Sequence, residues 1–363
     1  MSHTAEITRT NPTSILFMID QSRSMSDVIT GGDGKQQKAV CVADSVNHWL
    51  QELSLKCAKA GGVSDYYHIG VIGYGGKVGS ALVGPMAGRD MVPISEIAEN
   101  PGRVEKRKLM LPGPDGRLTK RKVKVPVWFD PIADGGTPMC AASAEAHRIM
   151  QAWLADHGSC YPPQIIHITD GESTDGNPEQ RVRALTALSS SDGPALLFNI
   201  HISSHPDAVP IVFPDTADNL PDAYSHMLFE TASLLTPNMR AVAGQQGHAT
   251  TDRSRAFVLN ADMVSLVHAI EIGTRAANVV TETPSSSFPS DAAAAEIAEG
   301  KAALAAEKAA REVAGVAVTL SVLDSGELVD AQLHTDRKGR ITQIVPTQPL
   351  DPRKEYRVGP ELR

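Results

Sequence analysis

The stretch SILFMIDQSRSM (residues 14–25) joins a strand-like apolar run to a set of oxygen-bearing side chains. Five apolar residues at 15–19 end abruptly, and Asp20, Ser22 and Ser24 follow at alternate positions. Such residues either cap the turn or helix that comes next, or converge on a ligand. Similar chemistry elsewhere in the chain is needed to choose between these two interpretations.

Apolar runs of strand length alternate with segments of helical periodicity up to about residue 280. Strands are predicted at 15–19, 67–76, 164–169 and 195–202, and helices at 36–58, 138–156, 178–190, 222–236 and 262–280. This alternation is typical of a parallel sheet with helices on both faces. We therefore predict an α/β fold with a doubly wound, Rossmann-like, mostly parallel sheet, followed by a small C-terminal helix-plus-β extension.

Two further loops carry polar side chains where predicted strands or glycine turns end. DGGTPM (134–139) offers Thr137 after a glycine turn, and ITDGESTD (168–175) offers Asp170 directly after a strand. Ligands of doubly wound sheets bind beyond the carboxyl ends of the strands, so these loops are expected to meet the first one. Glu172 and Asp175, on the same loop as Asp170, could support the site or lie at its rim, but the favoured interpretation is that they are solvated loop acids.

The three loops together predict a site for a hard divalent cation. Hydroxyl and carboxylate oxygens on rigid loops suit Mg²⁺, and the absence of His and Cys from the set disfavours zinc and copper. Taken alone, each motif also fits a capped helix start or a β-turn; their occurrence in order favours a site. The candidate metal residues are Asp20, Ser22, Ser24, Thr137 and Asp170.

The motifs DQSRS, GGT and TDG, in this order, resemble the metal-ion-dependent adhesion site of von Willebrand factor A (vWA) domains. The resemblance covers residues 12–280 and is strongest to the intracellular bacterial branch, which includes tellurite-resistance-associated and MoxR-ATPase-associated proteins. It implies a Rossmann-like fold that binds Mg²⁺ or Mn²⁺. The sequence departs from the pattern at Arg23, where glycine is common, and this places a cation near the rim of the site.

The resemblance also implies a role for each candidate ligand. Ser22, Ser24 and Thr137 would be direct or near-direct ligands, whereas Asp20 and Asp170 would act largely through water and hydrogen bonds. Hydroxyls and water neutralise little of a metal's charge, so a carboxylate from another protein would be a strong further ligand. The implied site is a metal-dependent docking point for an acidic side chain.

The domain organisation predicted from the sequence has three parts. A vWA domain at 12–280 carries a basic β-hairpin insertion at 103–124, a Pro/Ser-rich linker follows at 281–290, and an Ala-rich helix and small β unit fill 291–363. The hairpin has nine Lys and Arg against two acids, a net charge of +7. Since the whole chain carries −8, the remainder carries −15.

These observations favour a metal-dependent protein–protein interaction module, an adaptor or scaffold, over an enzyme. The sequence has no GxSxG elbow, no phosphate-binding GxxxxGK[ST] and no histidine beside the metal motifs that would serve as a general base. Two alternatives stay open: a metal-dependent hydrolase or phosphatase using the same acids, and nucleic-acid binding through the basic hairpin. The second is disfavoured by the acidic net charge and by the lack of aromatic residues within the hairpin.

The expected partner is another protein that supplies an Asp or Glu, and the candidate classes are components of an AAA+ ATPase, kinase or phosphatase system. The sequence contains no apolar run of the roughly 20 residues that a membrane helix needs, and no secretory leader pattern opens it. A cytoplasmic location without membrane contact is therefore expected.

Overall fold

The structure is a computed structural model. It describes residues 3–31, 34–59, 61–112, 118–203, 209–261 and 263–274, together with four strands between 316 and 358. The chain divides into two compact units, residues 1–285 and 286–363. The predicted linker at 281–290 and the predicted Ala-rich helix that follows it lie outside the described residues.

The first unit contains strands of very different lengths. In chain order the strands are β1 (Thr13–Asp20), β2 (Val28–Gly31), β3 (Gly34–Gln37), β4 (Ala58–Lys59), β5 (Gly62–Val63), β6 (Tyr67–Tyr74), β7 (Val78–Ser80), β8 (Val92–Pro93), β9 (Arg103–Pro112), β10 (Leu118–Val127), β11 (Gln164–Thr169), β12 (Ser189–Ser190), β13 (Gly193–Pro194), β14 (Leu196–Ile202), β15 (Ile211–Val212) and β16 (Phe257–Ala261).

Helices alternate with the long strands. They are α1 (Lys38–Cys57), α2 (Ile94–Glu99), α3 (Met139–Asp156), α4 (Glu179–Ala187), α5 (Ala223–Thr231), α6 (Pro237–Gln245) and α7 (Met263–Thr274), with short 3-10 helices at Arg23–Ser26 and Gly84–Met86. Among the described residues, no helix is both long enough and apolar enough to cross a membrane.

The central sheet confirms the predicted fold class. Its order is β15-β16-β14-β11-β1-β6-β7, and β8 also pairs with β6. The five inner strands, from β16 to β6, are parallel, and the short strands at the edges are antiparallel. The unit is therefore an α/β, doubly wound, mostly parallel sheet.

Burial on both faces explains the continuous apolar run of the first strand. Every residue of β1 is buried. Phe17 and Ile19 belong to the core cluster that contains α1 and α7 residues, and Leu16 and Met18 belong to the cluster that contains α3 and α4 residues. Alternate residues of a strand point to opposite faces, so a strand covered on both sides must be apolar throughout.

The chain between α4 and α7 differs from the sequence-based prediction. The helix predicted at 222–236 ends at Thr231, and a separate helix, α6, begins at Pro237 after Thr236, whose side chain accepts a hydrogen bond from the Met239 amide. Proline at the first position and threonine before it are helix-start signals that the prediction missed. Strand β16 is also absent from the prediction; its apolar run is interrupted by Asn260.

Residues 103–112 and 118–127 form a two-stranded antiparallel ribbon. Strand β9 pairs with β10 from Arg103↔Val127 to Pro112↔Leu118, so the second strand continues three residues beyond the predicted end at 124. The base of the ribbon is fixed by Asn47, whose side chain bonds the backbone of Trp128 and Phe129.

The second unit contains one small antiparallel sheet in its described residues. Its strands are β17 (Val316–Val322), β18 (Leu328–Thr335), β19 (Ile341–Pro346) and β20 (Tyr356–Val358), in the order β19-β18-β17-β20.

Candidate metal site

The first and third parallel strands place two aspartates side by side. Counted along the chain, the parallel strands β1, β6, β11, β14 and β16 are arranged in space as 2-1-3-4-5. The winding direction of such a sheet reverses between strands 1 and 3, and that point is where doubly wound folds bind ligands. Asp20 is the last residue of β1, and Asp170 directly follows β11. Both carboxylates thus lie at the switch point.

Two serine hydroxyls connect the first loop to the second aspartate. Ser22 Oγ lies 3.0 Å from Ser24 Oγ, and Ser24 Oγ donates a hydrogen bond of 2.7 Å to Asp170 Oδ1. The loop folds into the 3-10 helix Arg23–Ser26, in which the Met25 amide bonds Ser22 O. This tight turn brings the two alternate serines to the same side of the loop.

Asp20 is held beneath the loop by neutral donors. Its Oδ1 accepts a 2.8 Å hydrogen bond from the Ser22 amide, and its Oδ2 accepts a 2.9 Å bond from Thr169 Oγ1. Burial raises the pKa of Asp20 to about 6, although these hydrogen bonds act in the opposite direction. Burial and hydrogen bonding thus act on this carboxylate in opposite directions.

Backbone hydrogen bonds hold the glycine-rich loop (residues 134–137) against the loop that follows β1 (residues 21–27, the serine loop). The Arg23 amide donates to Gly135 O at 3.1 Å, and the Asp134 amide donates to Gln21 O at 2.7 Å. Gly135 has a φ of +81°, and a Cβ at this position would lie 2.4 Å from the Gly76 nitrogen. Glycine is needed because the chain takes a left-handed turn and passes close to another backbone. The Arg23 side chain is exposed at the rim.

Thr137 is positioned by the loop that follows β11. The Thr137 amide donates to Thr174 Oγ1, and the Thr174 amide donates to Thr137 O, both at 2.9 Å. The next part of this loop holds the start of α3, because the Asp175 carboxylate accepts hydrogen bonds from the Cys140 and Ala141 amides, each at 2.9 Å. These two bonds help to hold the pKa of Asp175 below its usual value.

Asp175 is an exposed loop acid, as interpreted, but it also has a structural role that the sequence did not indicate. Its side chain reaches across to the helix that follows the glycine-rich loop and takes the place of a helix N-cap. A local cap pattern cannot reveal this role, since Asp175 lies 35 residues from Cys140 and 34 residues from Ala141 in the chain.

Four of the five candidate metal residues form one hydrogen-bonded cluster, and the fifth lies on the neighbouring loop. Asp20, Ser22, Ser24 and Asp170 are linked by the bonds given above. Among the described residues, no hydrogen bond joins the Thr137 side chain to this cluster; its loop is tied to the serine loop through Gly135.

The donor set fits a hard divalent cation. Neighbouring oxygens around Mg²⁺ lie about 2.9 Å apart, since the metal–oxygen distance in an octahedron is about 2.1 Å. The spacings of 3.0 Å between the Ser22 and Ser24 hydroxyls and 2.7 Å from Ser24 to Asp170 are close to that value. The described residues contain no group of three or more His, Cys, Asp and Glu that could hold a metal, so the hydroxyls must supply part of any coordination.

Several solved structures are similar to this chain. They include the vWF domain of the type V pili tip protein Mfa5 from Porphyromonas gingivalis, with 14% identity, 45% of this chain and 39% of that one covered, and a TM-score of 0.26. A von Willebrand factor type A structure from Catenulispora acidiphila has 14% identity, coverage of 96% and 57%, and a TM-score of 0.33. Proximal thread matrix protein 1 from the mussel byssus, with a zinc-occupied MIDAS motif, has 13% identity, coverage of 72% and 48%, and a TM-score of 0.34.

These similarities are weak, with TM-scores between 0.26 and 0.34. In each of these pairs the chain covers less than two thirds of the other protein's length. No protein-family profile matches the sequence, and no curated protein matches it. The fold class therefore rests on the sheet order, and the chemistry of the site rests on its own residues.

A buried lysine that the sequence analysis missed lies in the site. The Lys38 side chain is 3% exposed, and its Nζ lies 2.8 Å from Asp170 Oδ2 and 3.7 Å from Asp27 Oδ2. A signal for it exists in the sequence, because Lys38 precedes the buried residues Val42 and Val46 of α1 by four and eight positions. A charged residue on the apolar stripe of a helix indicates a buried partner.

A neutral hydrogen-bonded network supports the strands below the site. Asn199 Nδ2 donates to Leu228 O and Thr231 Oγ1, so its Oδ1 accepts from His167 Nδ1 at 2.9 Å. The other ring nitrogen of His167 accepts from the Tyr74 hydroxyl at 2.7 Å. Burial lowers the pKa of His167 to about 4. This ring is a neutral core histidine.

Proposed function

We propose that this chain is a metal-dependent protein–protein interaction module, an adaptor or scaffold of the vWA type that docks an acidic side chain without catalytic turnover. Asp20, Ser22, Ser24, Thr137 and Asp170 would hold Mg²⁺ or Mn²⁺. The observation that carries the proposal is the cluster of Ser22, Ser24 and Asp170 at the switch point, with oxygen spacings that suit an octahedral cation.

Electrostatics explains why docking would depend on the metal. The buried carboxylates of Asp20 and Asp170 give this edge of the sheet a negative charge, only part of which Lys38 balances. An acidic side chain of a partner would be repelled by that charge. A bound divalent cation supplies positive charge and an acceptor position for a carboxylate, which reverses the local field.

The arrangement favours docking over hydrolysis. The described residues around Asp20 and Asp170 include the hydroxyls of Ser22, Ser24 and Thr169, and the nearby ring of His167 is committed to Tyr74 and Asn199. A general base must reach the proton that it removes. His167 has both nitrogens engaged in the core. His201, which interacts electrostatically with Asp170, accepts a hydrogen bond from the Asn260 amide at Nδ1, and burial lowers its pKa. The vWA assignment and the non-enzymatic role are our proposals from the site.

The test is binding of an acidic probe in the presence and absence of metal. Fluorescence anisotropy of a labelled Asp/Glu-containing peptide is measured with the full chain in excess Mg²⁺ and in EDTA. We expect binding only with Mg²⁺, and its loss in Ser22→Ala. Ser26→Ala, on the same loop with its hydroxyl bonded to Arg23 O, is the matched control and should bind like the wild type. Equal affinity in Mg²⁺ and EDTA would overturn the proposal.

The basic ribbon supports a second contact with an acidic partner. Directly opposite residues of an antiparallel pair share a face, and successive residues alternate between faces. The register pairs Lys106 with Lys124 and Lys108 with Lys122. With the pair of Met110 and Lys120, one face of the ribbon carries five lysines: Lys106, Lys108, Lys120, Lys122 and Lys124.

Like charges directly opposite one another destabilise a strand pair. Negative charges from another molecule would offset this repulsion between the lysines. We propose an acidic protein surface as the counterpart. The rest of the chain carries −15 and would repel a nucleic-acid backbone. The nearest aromatic residues in sequence, Trp128 and Phe129, are buried and unavailable for base stacking. Components of AAA+ ATPase, kinase or phosphatase systems remain the partner classes to test.

A further inference from the structure

The position of Lys38 is unusual for a lysine. It is the first residue of α1, where the unpaired amides and the helix dipole favour anions rather than cations. Lysine is rarely buried without a partner, yet this side chain is 3% exposed. An ammonium group in such a place must be stabilised by a specific anion, and the structure shows which one.

The anion is the candidate metal ligand Asp170. Lys38 Nζ lies 2.8 Å from Asp170 Oδ2, and the Asp170 side chain is completely buried. Its other oxygen accepts the hydrogen bond from Ser24. Both oxygens of this carboxylate are therefore engaged within the chain, one by a hydroxyl of the site and the other by a cation.

A second anion is within reach of the same ammonium. Asp27 Oδ2 lies 3.7 Å from Lys38 Nζ, and the Asp27 side chain is 55% exposed at the end of the serine loop. The Lys38 amide bonds Asp27 O at 2.9 Å, which keeps the two residues together. The lysine therefore has one buried partner inside the site and one exposed partner at its edge.

We propose that Lys38 is the internal counter-ion of the metal-free site and competes with the divalent cation for Asp170. A metal cation bound at Asp170 would lie close to the Lys38 ammonium, and the two positive charges would repel each other. The ammonium would then shift toward Asp27. Lys38 thus sets the metal affinity of the site, and Asp27 provides its alternative position. This inference rests on the proposed metal-dependent function.

The test is Mn²⁺ affinity, measured on the full chain from the EPR signal of free Mn²⁺. Lys38→Met removes the competing charge and should bind Mn²⁺ at least about tenfold more tightly than the wild type, because like charges at close quarters strongly oppose binding. Lys56→Met, at the exposed end of the same helix, is the matched control and should be unchanged. Asp27→Asn removes the alternative partner and should weaken binding.

The variants distinguish a failure of this inference from a failure of the proposed function. Lys38→Arg keeps the charge and the fold, so it should retain the weak binding of the wild type. Equal Mn²⁺ affinity in the wild type, Lys38→Met and Lys38→Arg would overturn the competition and leave the metal site standing. No Mn²⁺ binding in any variant, with circular dichroism showing folded protein, would overturn both.

Discussion

The candidate metal site and the basic ribbon of β9 and β10 are both strongly charged, but their charges are balanced in different ways. In the site, the buried carboxylates of Asp20 and Asp170 are matched by donors from the loop after β1, by Thr169 at the end of β11 and by Lys38. In the ribbon, the register sets lysine opposite lysine. Buried charge must be balanced within the chain, whereas the opposed lysines of the ribbon can be balanced by another molecule. We therefore expect site substitutions to change stability and ribbon substitutions to change binding.

The largest expected effect comes from removing one member of the buried pair. Asp170→Ala leaves Lys38 buried without its main anion and should lower the free energy of unfolding, measured in EDTA with urea, by about 3–5 kcal/mol. Asp27→Ala, which removes the exposed partner of the same lysine, should cost less than about 1 kcal/mol.

The double variant Asp170→Ala/Lys38→Met sharpens this prediction. Both charges are then replaced by apolar groups, and a buried ion pair is often no more stabilising than an apolar pair. The double variant should therefore recover most of the free energy of unfolding that Asp170→Ala loses. An Asp170→Ala variant as stable as the wild type would show that the Lys38–Asp170 pair is not buried in solution. Site and ribbon substitutions would then not differ in their effect on stability.

The next effect is a pH dependence that arises from His167. Its pKa is about 4 in the folded chain and about 6.5 when unfolded, so the unfolded chain binds more protons between these values. The stability that His167 contributes is complete above pH 6.5 and is lost as the pH falls toward 4, by about 3 kcal/mol. Urea unfolding at pH 7.5 and pH 4 should show this loss in the wild type but not in His167→Gln. Equal pH dependence in both proteins would contradict it.

A smaller effect is expected from the carboxylate that caps α3. Asp175→Ala removes the acceptor of the Cys140 and Ala141 amides and should cost about 1 kcal/mol, as loss of a helix cap does. Glu172→Ala removes an exposed acid from the same loop and should change the free energy of unfolding by less than about 0.5 kcal/mol. Thermal unfolding of the two variants side by side measures the difference, and similar melting temperatures would show that the cap does not form.

The ribbon should show the smallest effect on stability and a face-dependent effect on binding. Lys108→Ser/Lys122→Ser removes an opposed pair from the lysine face, whereas Arg107→Ser/Arg121→Ser removes the same charge from the other face. Both should change the free energy of unfolding by less than about 0.5 kcal/mol. Only the lysine variant should lose most of its affinity for poly-glutamate.

Two outcomes of the ribbon experiment would contradict this view. Equal loss of poly-glutamate binding in both double variants would show that net charge, not the lysine face, is responsible. Tighter binding to a DNA duplex than to poly-glutamate, with a steep salt dependence, would favour a nucleic-acid partner instead.

The sequence predicted the sheet, and it indicated polar residues that the structure brings together at one sheet edge, because both depend on local pattern. Continuous apolar runs such as that of β1 predicted buried parallel strands, and the polar residues after them predicted the edge where ligands bind. The contacts of Lys38 and Asp175 were missed because their partners are 132 and 35 residues away in the chain. Such pairs depend on which loops meet at the sheet edge, and this becomes clear only when the strand order is known.

The most direct test of the central claim is calorimetric titration of the full chain with Mg²⁺ and with Mn²⁺. The wild type should bind one divalent cation per chain, and the double variant Asp170→Ala/Lys38→Met should bind none while remaining folded. Because Lys38→Met alone retains Asp170, it should bind the cation more tightly than the wild type. Absence of saturable binding in both the wild type and Lys38→Met would contradict the account, and so would binding that survives the loss of Asp170.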